Sequence, residues 1–228
     1  MKRHNLHTHT IYSDGKNSPE ELIKKAKESK LEIIGISDHG FTRKTKSLNR
    51  TTLPGYIHHL NELKKRSQGI EVKIGLEIDT LKTCGTDPKN LPFELLNQLD
   101  YVFFEDIRMG PEFSYLYREI DSLVIIRNKL RIPVGIAHPN LDEHFGGKNE
   151  EIAKILGEND IFVDMHLNYF HDDVRHRYTE SFLELLRKYN VKFTIGTDVH
   201  TKKCPVGDID PVLNYITENT LSVLKMVS

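Results

Sequence analysis

The chain reads as an α/β protein whose parallel strands close, or nearly close, into a barrel. Two observations predict this. Seven short apolar, β-branched segments alternate with longer amphipathic ones along 228 residues, without a proline-rich or low-complexity linker. Five of the apolar segments also end in Asp, Glu or His clusters, and the C-terminal strand ends of a parallel barrel gather at one mouth. No repeat at a fixed period competes with this reading.

Residues 2–9 form the first predicted strand, followed by a turn through Ser13, Asp14 and Gly15. A helix then starts at Ser18-Pro19-Glu20-Glu21. Ser18 suits the cap, Pro19 the first helical position, and Glu21 completes a capping box. Leu22, Ile23 and Ala26 supply its buried face. Residues 31–37 (LEIIGIS) read as a buried strand ending in Asp38-His39-Gly40. Residues 52–67 carry a stripe of Leu53, Tyr56, Ile57, Leu60 and Leu63 at helical spacing.

Further strands are expected at 72–80, 101–104, 132–137, 161–167 and 191–195. Helices are expected at 91–99, 113–130, 150–156, 180–189 and 212–224, with a polar loop at 169–178.

Composition narrows the class. The size and the absence of a linker fit one domain spanning residues 1–228. With 38% hydrophobic and 29% charged residues, the chain has the balance of a folded soluble protein. A formal net charge of −1 offers no global field for nucleic acid. Cys84 and Cys204 form neither a disulfide framework nor a Cys-x-x-Cys pair. No apolar run has the length of a signal peptide or a membrane span, so the expected location is the cytoplasm.

The polar strand ends carry the chemistry. In His7-Thr8-His9 the period of two sends both imidazoles to one face. Eight potential ligands would meet at the mouth: His7, His9, Asp14, His39, Glu77, His138, Asp198 and His200. Burying a neutral polar group without a partner costs about 2–7 kcal/mol, and a metal cluster removes that cost. Asp38 and Asp79 are read as partners that orient neighbouring ligands. His4, His58 and His59 are read as surface residues, and His144 as a loop residue. Arg43, Lys44, Lys46 and Arg50 are read as a solvated loop.

The strings HTHT…SDG, SDHG, GLEID, AHP and GTDVH, in this order from residue 7 to residue 200, resemble the PHP (polymerase and histidinol phosphatase) domain family. The resemblance implies a distorted (β/α)7 barrel with two or three divalent ions, zinc, manganese or iron. It places His7, His9, Glu77 and Asp198 on one ion, and Asp14, His39 and His200 on a second. Glu77 would bridge to a third ion shared with His138. The family's fourth strand usually runs DYVxxSxH; here Ile107 stands at the histidine position. Glu105, on the same strand face by parity, and His166, at a strand end, are candidate replacements.

The activity implied is metal-dependent hydrolysis of a small phosphate ester by an activated water. Asp198 and His200 would handle protons, and Arg108, Arg175 and Arg177 are candidates for the phosphate. The alternatives are a nuclease or phosphodiesterase, or a metal-binding domain without activity.

Overall fold

A computed structural model describes residues 2–107, 120–139, 148–166, 178–203 and 205–225. Ten strands alternate with seven α-helices among the described residues. They run β1 His4–Asn5, α1 Pro19–Glu28, β2 Ile33–Ile36, β3 His39–Gly40, α2 Leu53–Arg66, β4 Glu71–Ile74 and β5 Glu77–Asp79. After α3 Phe93–Leu96 come β6 Val102–Glu105, α4 Ile120–Arg127, β7 Val134–Ile136, α5 Asn149–Glu158, β8 Ile161–His166 and α6 Glu180–Lys188. The chain continues with β9 Lys192–Gly196, α7 Asp210–Glu218 and β10 Ser222–Val223.

All strand pairs are parallel. They form a sheet ordered β1-β2-β4 and a second ordered β10-β9-β8-β7-β6-β5-β3. Two seams join these into a barrel. At the first, β2–β3 and β4–β5 are each one extended segment with a break, spanned by Gly75 N donating to Ile36 O (2.7 Å) and Glu77 N to Asp38 O (3.1 Å). The Tyr56 hydroxyl, from α2, lies at the same break, 3.0 Å from Ile36 O and 3.1 Å from Gly75 O. At the second seam the chain beyond β1 runs along the end of β9, with Leu6 N donating to Ile195 O (2.8 Å) and Asp198 N to His7 O (2.9 Å).

The apolar residues fall into two layers. Helix faces pack on the outside of the strands, as with Leu22, Ile23 and Ala26 of α1. Inside the barrel, Leu6, Ile33, Tyr101, Phe103, Ala137 and Phe162 form a separate plug. Tyr101 and Phe162 both meet Phe103 edge-on, with centroids 5.2 and 5.4 Å away. Gly35 and Gly75 make room for Tyr101, because a Cβ there would lie 2.2 and 2.3 Å from its side chain. The rings form a dry floor beneath the mouth.

The seven predicted strands appear as expected, two of them broken. Three sequence expectations are corrected. The helix expected at 91–99 is the single turn Phe93–Leu96. The last helix stops at Glu218, since Thr220 takes a left-handed φ of 51°, and the chain then pairs with β9 as β10. His4 is buried, its Nδ1 facing Lys2 O at 3.0 Å and its Nε2 accepting Ile195 N at 3.2 Å. No described helix is long and apolar enough to cross a membrane.

Candidate metal centre

The extension of β1 carries His7 and His9 inward, while Thr8 turns outward and donates to Gly35 O at 2.7 Å. His7 and His9 are fully buried, and Glu77 of β5 nearly so. These three and Asp198, which follows β9, converge. His7 Nε2 and His9 Nε2 lie 3.1 Å apart, and each is 3.2 Å from Glu77 Oε2. Asp198 Oδ1 is 3.1 Å from His9 Nε2 and 3.5 Å from His7 Nε2. Phe103 stacks under the His7 ring at 5.0 Å, joining the cluster to the floor.

A second group faces the opening. Asp14 Oδ1 lies 3.3 Å from His200 Nε2, and Asp14 Oδ2 lies 3.7 Å from His39 Nε2. The His9 ring stacks on that of His200 at 4.2 Å. On the other side, His138 Nε2 is 3.0 Å from Glu77 Oε1. Asp198 and His138 sit at left-handed backbone, φ 49° and 31°, just past their strands. That geometry turns their side chains back over the mouth.

Electrostatics fit a cation. Burial by itself would raise the pKa of Glu77, but His7, His39 and the His138 contact hold it well below the carboxylate range. Asp198, half-buried, is held well below the carboxylate range by His7 and His9. Glu77 Oε2 and Asp198 Oδ1 nevertheless have no hydrogen-bond partner. Two orphaned carboxylate oxygens beside two imidazole nitrogens are a donor set suited to zinc, manganese or iron. Among the described residues, groups able to hold a metal ion are His9, Asp14, His39 and His200; His7, His9 and Asp198; His7, Glu77 and His138; His39, Glu77 and Glu105; and Asp79, Glu105 and Asp106.

All eight predicted ligand candidates therefore meet at the mouth. Glu105 joins them, its Oε1 3.1 Å from His39 Nδ1. Ile107, at the expected histidine position, is buried in the apolar core. Arg108, Arg175, Arg177 and His144 lie outside the described residues, as does the side chain of His166.

Other roles differ from expectation. Asp38 orients no histidine directly; it accepts from Thr10 N (2.7 Å), Thr10 Oγ1 (2.6 Å), Ser13 N (3.1 Å) and Ser13 Oγ (2.6 Å). It thereby fixes the loop between His9 and Asp14. Asp79 likewise holds loops, accepting from Thr42 Oγ1 at 2.8 Å and Leu81 N at 2.7 Å. His59 is tied between Tyr12 and Glu20, 2.9 and 3.1 Å away. Lys44 lies 3.3 Å from both Glu105 Oε2 and Asp106 Oδ2. Lys46 reaches back to Ile11 O.

Asp164 is a site residue that no strand-end motif marks. It is fully buried on β8, with Oδ2 2.7 Å from His7 Nδ1 and Oδ1 accepting from Thr194 Oγ1 at 3.3 Å. A carboxylate on Nδ1 fixes the ring and directs Nε2 to the centre. The available signal was a lone acid inside the apolar run Ile-Phe-Val-Asp-Met.

Fold and site together define a parallel β/α barrel with a histidine–carboxylate centre at the C-terminal ends of its strands. The chain belongs to the PHP domain family, whose profile matches residues 5–222. It is 28% identical over 224 residues to a probable phosphatase of Acetivibrio thermocellus, covering 93% of this chain and 85% of that protein. An uncharacterized protein of Methanocaldococcus jannaschii is 27% identical over 208 residues, covering 90% and 85% of the two chains. Among solved structures, histidinol phosphate phosphatase of Lactococcus lactis, complexed with zinc, L-histidinol and phosphate, has the same fold. Its TM-score is 0.68 at 18% identity, over 98% of this chain and 95% of that one.

Proposed function

We propose that the chain is a metal-dependent phosphoesterase acting on the phosphomonoester of a small molecule. The observation that carries this reading is the pair of orphaned oxygens, Glu77 Oε2 and Asp198 Oδ1, facing His7 and His9 at the floor of the mouth. In this reading His7, His9, Glu77 and Asp198 hold one ion, Asp14, His39 and His200 a second, and Glu77 with His138 a third. The ions, when bound, polarise the phosphoryl group and lower the pKa of a water.

The chain's own groups supply the rest. Asp198, with Oδ1 among the ligands, would accept the proton of the attacking water on its second carboxylate oxygen and return it to the leaving oxygen, while His200, whose Nδ1 faces the Asp198 carbonyl at 2.9 Å, would hold its ion beside that carboxylate. The aromatic floor keeps water from the inner face of the centre, so charge interactions there act in a low dielectric. Arg108, Arg175 and Arg177 would grip the phosphate bidentately. The probable phosphatases among the relatives, and histidinol and phosphate bound to the Lactococcus lactis protein, support a small phosphorylated substrate.

The test is a panel of histidinol phosphate, sugar phosphates, nucleotides and oligonucleotides, assayed with added manganese or zinc. Phosphate release that EDTA abolishes and that Asp198→Asn lowers by about 100-fold or more is expected, in line with the loss of a general base. Cleavage of oligonucleotides alone would assign a nuclease. Bound metal without any hydrolysis would assign a binding role.

A further inference from the structure

Four buried polar atoms at the mouth have no hydrogen-bond partner: Glu77 Oε2, Asp198 Oδ1, His39 Nδ1 and Glu105 Oε1. The first two face His7 and His9 Nε2 and belong to the inner cation of the proposed function. The other two face each other at 3.1 Å. Their surroundings repeat a pattern. His7 has Asp164 Oδ2 2.7 Å from Nδ1, and His200 has the Asp198 carbonyl 2.9 Å from Nδ1. In both, an acceptor on Nδ1 leaves Nε2 aimed at the centre. His39 also aims Nε2 at Asp14, and the carboxylate oxygen nearest its Nδ1 is Glu105 Oε1 at 3.1 Å, with Glu77 Oε2 at 3.4 Å.

We propose that Glu105 is a positioning residue, taking the Nδ1 proton of His39 so that Nε2 offers its lone pair to the outer cation, and that Lys44 holds Glu105 to this task. This rests on the assignment of His39 as a ligand. A neutral imidazole carries one lone pair, so His39 serves one ion, and a proton on Nδ1 decides which. Ligating histidines pass their other N–H to a carboxylate or carbonyl as a rule. Lys44 supplies what Asp164 obtains from Thr194: a donor on the second carboxylate oxygen. Its Nζ lies 3.3 Å from Glu105 Oε2 and from Asp106 Oδ2, bridging the end of β6 to the loop after β3. Glu105 is buried between the ligand and this half-exposed lysine. Glu105 therefore does not replace the histidine missing at Ile107; it serves a different ion.

The experiment measures zinc affinity by chelator competition on the full chain, with zinc counted by atomic emission. Glu105→Ala should weaken one ion by about 10–100-fold and leave the number bound unchanged. Glu105→Gln, which keeps an acceptor oxygen, should fall between the two. Lys44→Met should weaken the same ion to a smaller extent, and Lys44→Arg should restore it. In the zinc-loaded wild type, the nitrogen resonances of His39 should show a proton on Nδ1 and metal on Nε2.

Loss of a whole ion in Glu105→Ala would make Glu105 a ligand and overturn the proposal. Unchanged affinity, or metal on His39 Nδ1, would overturn it as well. Where Glu105→Ala fails to fold, the wild-type nitrogen spectrum decides alone. Zinc binding with these effects but no phosphatase activity would defeat the proposed function and leave this inference standing.

Discussion

His39 shares the pH behaviour of the metal-free site with His7, His138 and His200; in all four the surrounding carboxylates outweigh burial and raise the pKa above the ordinary imidazole range. Burial alone would lower the pKa of His39, but Glu77, Glu105 and Asp14 raise it to about 9. Asp14, also disfavoured by burial, is held at about 2 by His200, His39 and His9. At neutral pH His39 is therefore protonated, and a divalent ion must expel that proton. Zinc binding at pH 7 should release protons, and affinity should rise with pH up to about 9. Calorimetry in buffers of different ionisation enthalpy measures this, and binding without proton release would contradict it. The sign for stability is opposite. A raised histidine pKa contributes stability that is complete below 6.5 and is lost as pH climbs through about 9. The metal-free chain should thus melt at a lower temperature above about pH 9 than near pH 6. The Asp14 pairing acts from the other side, present above 3.8 and lost as pH falls through about 2. The histidines and acids of the mouth were legible as strand-end residues. Asp164 and the Lys44–Glu105 contact were not, because Asp164 and His7 are 157 positions apart and only closure of the barrel joins them.

At the scale of elements, local signals read well where they act locally. The capping box of α1 forms as its sequence implies, with Glu21 N donating to Ser18 Oγ at 3.2 Å and Ser18 N to Glu21 Oε2 at 2.8 Å. Ser18→Ala should cost about 1 kcal/mol, seen as a lower urea midpoint at unchanged slope. The interior of the barrel is less forgiving. A methyl at residue 35 would lie 2.2 Å from the Tyr101 hydroxyl and 2.8 Å from Leu6 Cα. Gly35→Ala should cost about 1–3 kcal/mol by overpacking, and Tyr101→Phe added to it should recover part of that loss. Additive losses in the double variant would show that Tyr101 is not the obstacle. Where element reading failed, a neighbour decided the outcome. The segment after Glu218 is apolar enough to continue a helix, yet it turns at Thr220 and takes the free edge of β9.

For the whole molecule, the centre links both seams of the barrel. His7 and His9 follow β1, Asp198 and His200 follow β9, and Glu77 lies on the far side in β5. Cations shared out among these residues would tie the segments together in the folded state and in no unfolded one. Metal should therefore raise the melting temperature, by a stabilisation of about 4 kcal/mol at a free concentration ~1,000 times Kd. Differential scanning calorimetry of EDTA-treated protein, with manganese or zinc added back stepwise, measures this. A melting temperature indifferent to metal would place the ions outside this cluster.

The alternation of apolar strands and amphipathic helices, the caps and the strand-end histidines and acids are properties of short windows, and the sequence by itself determined them. It also carried the ordered motifs through which the chain belongs to its family. The breaks in β2–β3 and β4–β5, the aromatic floor, the burial of His4 and the carboxylates behind His7 and His39 came from the tertiary structure alone. Each depends on which strands become neighbours when the cylinder closes, and that is settled by packing across long separations.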